Sequence, residues 1–378
     1  MQEATVGAIE PGFGSFDLAA AQYARPQQTR YPMEFGGQTG EYFRIWIVNL
    51  ALSIVTLGIY SAWAKVRTRR YFYANTRLAG SSFEYLAQPM QILKGRLIAY
   101  AVVLALWSSA HFQVFVVYFP LLITLLLLLP WVIYRTLAFR ARYTAWRGLR
   151  FRFIGSVREA YNSYLFRPLI LPITLYLMYP WVHMRQHDYM ATGHRFGGKR
   201  FEFARNCEGY VAPFAISMVL AIALYVAFAV IFVAVMSSAM SHAGIPADGP
   251  RRMPAMPPTM MLVMAIAYVL LLCIPVFLRT RYSNVMWQHT RLDQHTFECT
   301  LGVRDVLWLY FSNGIAILCT LGLAIPWAQI RMARYRAGKF ALLAGGELDN
   351  FVAEAGQAEG AAGAELLGAL DMGFDIGL

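Results

Sequence analysis

Residues 35–85 read FGGQTGEYFRIWIVNLALSIVTLGIYSAWAKVRTRRYFYANTRLAGSSFEY, and large parts of this stretch recur further along the chain without gaps. An offset of 118 residues gives a second copy, and an offset of 264 residues gives a third. The positions shared by the first two copies are Gly37, Glu41, Thr56, Trp63, Arg67, Tyr71, Gly80, Phe83 and Glu84. The sequence therefore predicts a structural module that is repeated three times, at 33–85, 151–203 and 297–340.

The end of the module recurs more widely than the module itself. An offset of 68 carries Trp63, Arg67, Gly80 and Phe83 onto Trp131, Arg135, Gly148 and Phe151. An offset of 214 carries Arg67, Arg77, Phe83 and Glu84 onto Arg281, Arg291, Phe297 and Glu298. This basic and aromatic segment, called the exit motif below, therefore occurs at five places.

The composition is that of a membrane protein. Hydrophobic residues make up 58% of the 378 residues, charged residues only 14%, and the mean hydropathy is +0.45. About 20 apolar residues in a helix cross a hydrocarbon core, and the apolar runs in 92–135 and 211–281 are long enough for two crossings each. These two segments are predicted to be transmembrane helical hairpins.

The basic residues indicate which ends are cytoplasmic. The net charge is +12, and seven basic residues fall between Lys65 and Arg96 against one acidic residue. Eight more fall between Arg135 and Arg167, again against one acidic residue. Such loops remain cytoplasmic in inner-membrane proteins, and aromatic residues between arginines are also typical of the membrane interface. We therefore expect anionic membrane lipids, and no nucleic acid, as partners of this face.

The orientation of the three modules has two solutions. If every apolar run crosses once, the chain has seven crossings, and basic loops fall on both sides of the membrane. If each module instead breaks in the middle and returns, only the two hairpins cross, which gives four crossings. The breaks would then lie near Thr56–Gly58, Pro172–Thr174 and Thr320–Gly322, and returning segments need protein or water around their free backbone groups.

The predicted fold class is an all-α polytopic membrane protein. It has two transmembrane helical hairpins, three repeated helical modules that re-enter or span, and short cytoplasmic strands such as the one expected around Phe83–Tyr85. We expect residues 1–30 to be a disordered tail and 31–345 to be a single repeat-built membrane domain. Residues 346–378 are acidic and rich in Gly and Ala, which predicts a mobile C-terminal tail.

The segments TLGIYSAWAKVR (56–67) and NTRLAGSSFEY (75–85) resemble the YjgN family of bacterial inner-membrane proteins. The resemblance covers roughly Pro32–Lys339, and the second and third modules depart from it, for example at Pro180 and Gln329. It implies a multi-pass protein of the bacterial inner membrane. The family has no established activity, so the resemblance transfers no catalytic residues.

Two sets of repeated polar or aromatic residues are candidate functional positions. Carboxylates repeat at the start of the modules, where they cap helices, and arginines repeat at their ends. Paired inside a membrane, they would form a polar path for protons or an anionic substrate. The residues of this path are Glu41, Arg67, Glu159, Arg185, Asp305 and Arg331. The repeated tryptophans Trp63, Trp131, Trp181 and Trp327 are predicted to be interfacial anchors.

No cofactor is predicted, and two metal sites are alternatives to solvated or apolar side chains. A zinc site would use ligands after the second module and the second hairpin. Its candidate ligands are His183, His187, Asp188, His194, His289 and His295. A copper contact would use the thioethers between Met236 and Met264 with His242. The four cysteines lie far apart and suggest no metal or disulfide pattern.

The leading functional hypothesis is a membrane protein that binds or transports a small molecule or lipid through a cavity between the repeated modules. One alternative is a scaffold whose basic cytoplasmic face recruits a protein partner or anionic lipid. Another is a membrane metalloprotein or enzyme. No nucleophile elbow or phosphate-binding loop is present in the sequence, so an enzyme is not favoured.

Overall fold

The fold consists of five consecutive units, each of which runs strand, helical segment, strand. A computed structural model describes residues 28–242 and 258–367 of the chain. Its strands are β1 (Thr29–Phe35), β2 (Thr76–Leu78), β3 (Ser81–Tyr85), β4 (Thr144–Trp146), β5 (Leu149–Phe153), β6 (His194–Phe196), β7 (Lys199–Phe203), β8 (Thr290–Leu292), β9 (His295–Cys299) and β10 (Phe340–Ala344).

The helices lie between the two strands of each unit, except for the last one, which follows β10. They are α1 (Thr39–Val55), α2 (Ser61–Ala74), α3 (Pro89–His111), α4 (Phe115–Arg142), α5 (Val157–Tyr161), α6 (Ile170–Ile173), α7 (Tyr179–Gly193), α8 (Glu208–His242), α9 (Pro258–Gln288), α10 (Val303–Cys319), α11 (Ile325–Gly338) and α12 (Leu348–Leu367). A π-helical turn (Asn162–Phe166) and a 3-10 turn (Arg167–Leu169) join α5 to α6.

The ten strands close into an antiparallel barrel in the order β1-β10-β9-β8-β7-β6-β5-β4-β3-β2. The prediction of an all-α fold is therefore wrong. Four of the strands are only three residues long, which is too short to show a period of two. The two strands of one unit pair with each other although a long helical segment separates them, so hairpin spacing does not reveal this pairing.

Tight turns join neighbouring units, and they explain the repeated glycines of the exit motif. Ala79 and Gly80 have φ values of 48° and 76°, and Arg147 and Gly148 have 49° and 79°. Two successive residues with positive φ make the type I′ turn that suits a two-residue hairpin. Each exit motif thus contains the end of a helix that returns to the barrel and the beginning of the next β-strand.

Every helical segment between two strands leaves the barrel and returns to it. Four helices are long and apolar enough to cross a membrane, namely α3, α4, α8 and α9. They form two hairpins, in the second and fourth units, and their apolar windows are almost unburied within the protein. This arrangement agrees with the four-crossing alternative, because seven crossings would place exit motifs on both sides of the membrane.

The other three helical segments are the repeated modules, and each has a break at its tip. Leu57 and Gly58 have positive φ values, as do Leu321 and Gly322, and so do Leu175 and Tyr176. Thr56 Oγ1 donates to the carbonyl of Leu52 and accepts from the amide of Tyr60. This hydroxyl therefore bonds backbone groups at the end of α1 and at the start of α2. These breaks lie at or next to the predicted positions.

The C-terminal helix α12 closes the end of the barrel that faces away from the membrane helices. Leu348, Phe351 and Ala355 are buried against barrel residues, with helical spacing on one face. This segment falls in the predicted mobile tail, and its apolar stripe packs on the barrel. Residues 1–27 of the predicted N-terminal tail and 368–378 lie outside the described residues.

Candidate functional site: the barrel lumen

The barrel interior is lined by two rings of five side chains, one pair from each unit. In every unit, an inward residue of the first strand is the register partner of an inward residue on the second strand, which lies beside it in the sheet. The pairs are Met33 with Leu78, Phe83 with Trp146, Phe151 with Phe196, Phe201 with Leu292, and Phe297 with Leu342. Alternate residues of a strand face the same side, so the side chains between them point outwards. The rings make the lumen apolar and largely aromatic.

These rings line a cavity of about 800 Å³. Their aromatic side chains contact one another around the wall, for example Phe201 with Phe297 at a centroid distance of 6.0 Å. Ligand sites in proteins are typically apolar cavities of this size with a few polar groups. The lumen is therefore large enough to hold an organic molecule.

The cavity continues out of the barrel along α9. Its lining includes Trp287 near the end of that helix and Pro275, twelve residues earlier. Twelve residues of α-helix measure about 18 Å. Tyr310 of α10 and Ala333 of α11 line the same region. Because α9 is one of the four apolar spans, the cavity reaches from the lumen to the membrane-spanning part of the protein.

Two arginines line this opening. Arg279 of α9 and Arg336 of α11 are exposed, and neither has a hydrogen-bond or ion-pair partner among the described residues. An arginine side chain is always charged and presents a planar fork that fits a carboxylate or phosphate. The opening is thus suited to an anionic group.

The other end of the lumen is closed by α12. The Arg147 side chain forms an ion pair with Asp349, and Lys199 Nζ lies 3.0 Å from Asp293 and 3.3 Å from Glu354. The amide of Gly198 donates to the carbonyl of Ala355 over 2.9 Å. These contacts attach the helix to the β4–β5 and β6–β7 turns, so α12 is held over the lumen by polar bonds around an apolar centre.

His295 lies in the lumen at this closed end. Its side chain is 1% exposed, and neither ring nitrogen has a hydrogen-bond partner among the described residues. Burial lowers the pKa of His295 below its ordinary value, an effect that nearby Asp293 opposes and Lys199 reinforces. The imidazole is therefore a neutral polar group in an apolar wall.

A second, smaller cavity of about 370 Å³ adjoins the lumen beneath α4. It shares Phe83 and Phe151 with the main cavity and adds Arg140 and His194. His194 Nδ1 lies 2.5 Å from the carbonyl oxygen of Met190, and burial lowers the pKa of this histidine. This side chain thus has a backbone partner, unlike His295.

The structure does not bring together the predicted carboxylate and arginine pairs of the polar path. Glu159 pairs with Arg167 at 2.9 Å instead of Arg185. Glu41 and Asp305 each accept a hydrogen bond of 3.2 Å from a repeated tyrosine, namely Tyr71 and Tyr335. These tyrosines also bond the backbone at Gln38 and Gly302. A proton or anion path through these residues remains a prediction, and their visible role is to fix the corner between strand and helix.

The repeated arginines mostly stack on the repeated aromatic residues one helical turn earlier. Arg135 lies over Trp131 at 5.3 Å, Arg185 over Trp181 at 5.8 Å and Arg331 over Trp327 at 5.1 Å. In the fourth unit Arg281 lies over Phe277 at 5.9 Å. Residues four apart share a helix face, and these contacts are cation–π interactions.

The first unit departs from this pattern. Its Trp63 stacks on Tyr60, and Arg67 is exposed. Arg331 also donates to Ser312 Oγ and Asn313 Oδ1, which ties the two helices of its module together. The predicted roles of the tryptophans as interfacial anchors, and of the basic face in recruiting a partner, remain predictions.

The candidate zinc ligands are spread over several sites. His187 Nδ1 lies 2.8 Å from Tyr210 Oη, and Asp188 pairs with Arg205 and Arg185 at 2.8 Å and 3.6 Å. His183 packs against Tyr179, while His289 contacts Val285 and Asn206. Within residues 28–242 and 258–367, no three His, Cys, Asp or Glu side chains are grouped as metal ligands. Most of the proposed copper loop, 243–257, lies outside the described residues, as does the side chain of His242.

The lumen was not predicted from the sequence, although one repeated position of the exit motif indicates it. Phe83, Phe151, Phe201 and Phe297 are the same position of the exit motif in four units, and all four line the cavity. The alternation of these phenylalanines with charged neighbours, as in Phe83–Glu84, was the available signal. The cavity occupies the barrel interior and continues beside α9, α10 and α11.

Curated relatives support the location in the inner membrane. The chain is 34% identical over 146 residues to inner membrane protein YjgN of Salmonella typhimurium, and 31% identical over 139 residues to inner membrane protein YjgN of Escherichia coli K12. These alignments cover 38% and 37% of this chain, but only 36% and 35% of the relatives. No solved structure matches the chain.

The four apolar helices and these relatives together confirm a multi-pass protein of the bacterial inner membrane. The chain spans just over a third of the length of the curated relatives it matches. The family model described as bacterial protein of unknown function (DUF898) matches residues 30–369, which include the ten strands apart from Thr29 of β1. This protein therefore belongs to the DUF898 family.

Proposed function

We propose that this protein binds a lipid-like molecule, with an apolar body and an anionic head group, in the lumen of its barrel. The observation that carries the proposal is the continuity of the cavity from the barrel along α9 into a membrane-spanning segment. A molecule dissolved in the membrane can reach the lumen along this route without crossing water. Transport would need a second opening, which α12 covers in this structure.

The lining favours an apolar body. The ten ring residues contribute only apolar atoms to the lumen wall, apart from the indole nitrogen of Trp146, which donates to the carbonyl of Ser81. Burying apolar surface is favourable by about 25 cal/mol per Å². A polar metabolite would lose its hydration in this lumen and gain few hydrogen bonds. An acyl or isoprenoid chain makes no hydrogen bonds with water, so it would lose none on entering the lumen.

The arginines favour an anionic head group at the opening. Arg279 and Arg336 line the part of the cavity nearest the membrane helices, where a lipid head group on the cytoplasmic side would lie. A hydrogen bond to a charged partner contributes roughly 1.5–3 kcal/mol. Carboxylates and phosphates share this chemistry, so a fatty acid and an anionic phospholipid are both candidates.

Photo-crosslinking tests the proposal. The full-length protein in lipid nanodiscs is incubated with a diazirine-bearing fatty acid or a diazirine-bearing phosphatidylglycerol, and adducts are mapped by mass spectrometry. We expect adducts on lumen residues such as Phe201 and Phe297, because these side chains are shielded from bulk lipid. The probe that labels them, and that unlabelled compound displaces, identifies the kind of head group. Adducts confined to lipid-facing positions on α3, α4 and α8 would contradict the proposal.

Charge variants test the head-group site. Arg279→Ala combined with Arg336→Ala should weaken competition by the free lipid at least about tenfold, equivalent to about 1.4 kcal/mol. Arg291→Ala is the matched control, because Arg291 is exposed on β8 and does not line the cavity. Equal competition in the double variant and the control would contradict the proposed binding of an anionic head group. It would not contradict the proposed binding of an apolar body in the lumen.

A further inference from the structure

His295 is a polar side chain in an apolar lumen, at the end opposite the arginines. It begins β9, and Phe297 and Cys299 follow it on the same inward face of that strand. Four residues of strand from His295 to Cys299 measure about 13 Å. The lumen therefore has a polar group at each end of an apolar path, with His295 at the closed end and Arg279 and Arg336 at the opening.

The ring of His295 has no partner of its own. Its exposed fraction is 1%, and neither Nδ1 nor Nε2 is bonded to any described residue. A buried polar atom without a partner is unfavourable, so such atoms are normally satisfied by protein, water or ligand. The neighbouring charged groups are already engaged, because Lys199 bonds both Asp293 and Glu354. Nothing in the described wall competes for the imidazole.

The protonation state decides what the ring can bind. Burial keeps the pKa of His295 below its ordinary value, so the ring is neutral near pH 7. A neutral imidazole has one N–H donor and one acceptor nitrogen. It matches a group that can both donate and accept, such as a hydroxyl, and it offers no charge to a second anion. This distinguishes the closed end of the lumen from its opening.

We infer that His295 is a ligand-binding residue and that the ligand carries a neutral hydrogen-bonding group, such as a hydroxyl, at the end of its chain remote from the anionic head. The inference rests on the proposed function, since it assumes that a chain compound occupies the lumen. The ligand class is then an anionic chain compound with two polar ends. An ordinary acyl chain would leave both ring nitrogens unsatisfied.

A pair of matched probes tests this inference. Fatty acids that bear a terminal hydroxyl are compared with unsubstituted fatty acids of the same length, over a series of lengths, as competitors of the photo-crosslinker in the full-length protein. We expect the hydroxylated compound to bind the wild-type protein about tenfold more tightly at the best length. His295→Leu should abolish this preference and keep the affinity for the unsubstituted acid.

A second variant and a control complete the design. His295→Asn keeps a donor and an acceptor and should retain part of the preference even if His295→Leu folds poorly. His289→Leu, a change outside the lumen, should leave the preference intact. Equal binding of both acids by the wild-type protein, or a preference that survives His295→Leu, would overturn the inference alone. If neither the acids nor phosphatidylglycerol compete with the photo-crosslinker, the proposed function fails and this inference fails with it.

Discussion

His295 and Phe351 meet edge to face at the closed end of the barrel, with ring centroids 4.4 Å apart and ring planes at 80°. The contact joins the lumen wall to helix α12, because His295 belongs to β9 and Phe351 is buried at 4% exposure. Phe351 also stacks on Phe196 at a centroid distance of 6.1 Å. Helix α12 is therefore part of the barrel core rather than an appendage.

Removing the Phe351 ring should open the lumen. We expect Phe351→Ala to destabilise the protein by about 3 kcal/mol, because the ring is buried and its cavity cannot collapse inside a barrel. The lumen-facing thiol of Cys299 should also become accessible to maleimide from the cytoplasmic side. Thermal unfolding and labelling are measured with Cys207, Cys273 and Cys319 replaced by Ser. Gln357→Ala, on the exposed face of α12, is the control, and equal labelling of both variants would contradict the prediction.

The close approach of α12 to the β6–β7 turn should not tolerate a side chain. Gly197 has φ of +53°, and a Cβ atom there would lie 2.4 Å from the carbonyl oxygen of Ala355. Gly197→Ala should therefore displace α12, lower the unfolding temperature and raise Cys299 labelling. Gly80→Ala is a matched control, because Gly80 also has a positive φ, of +76°, but a Cβ there meets nothing within 4 Å. Identical behaviour of the two variants would show that α12 does not seat on this turn.

Acid should destabilise the protein through His295. The folded-state pKa lies below the ordinary value of 6.5, so the unfolded chain binds a proton that the folded chain does not as the pH falls past that value. Stability is then full above about pH 6.5 and decreases below it. Unfolding midpoints at about pH 7.5 and about pH 5.5 should differ less in His295→Leu than in the wild type. A pH dependence that His295→Leu leaves unchanged would contradict this prediction.

Sequence repetition was sufficient to predict a repeated module, but it left the number of crossings open and did not reveal the sheet. The matches from Trp63 to Glu84 identify where the last helix of a unit ends, and the basic loops predict that these ends share one side of the membrane. The barrel was hidden because its pairing partners within a unit, such as Phe83 and Trp146, are separated by an entire transmembrane hairpin. A three-residue strand such as β2 carries too little pattern to reveal burial on one face.

The candidate site was hidden for a related reason. His295 looked like one of several histidines in basic loops, and its spacing to His289 suggested ligands on one loop. In the barrel the two side chains have different environments. His289 bonds Val285 and Asn206, while His295 faces the lumen. Position within a closed sheet depends on strand pairing, so a local motif could not separate the two histidines.

The tips of the modules should stay inside the hydrocarbon core. Leu57 and Leu321 are both 95% exposed within the protein, and the residues around them are apolar. Helix α1 has 17 residues and measures about 25 Å, which is less than the roughly 30 Å of a bilayer core. A tip that reached the far interface would instead present polar residues to water. The threonine bonds at the break satisfy backbone groups that lipid cannot satisfy.

Cysteine accessibility checks this placement. In a background without native cysteines, Leu57→Cys and Leu321→Cys should resist membrane-impermeant maleimide from either side and react with a permeant reagent after solubilisation. Ser82→Cys, exposed on β3, is the control and should react from the cytoplasmic side only. Labelling of either tip from the periplasmic side would show that the module crosses the membrane. Because both ends of each module return to the barrel, that result would require the module to cross twice.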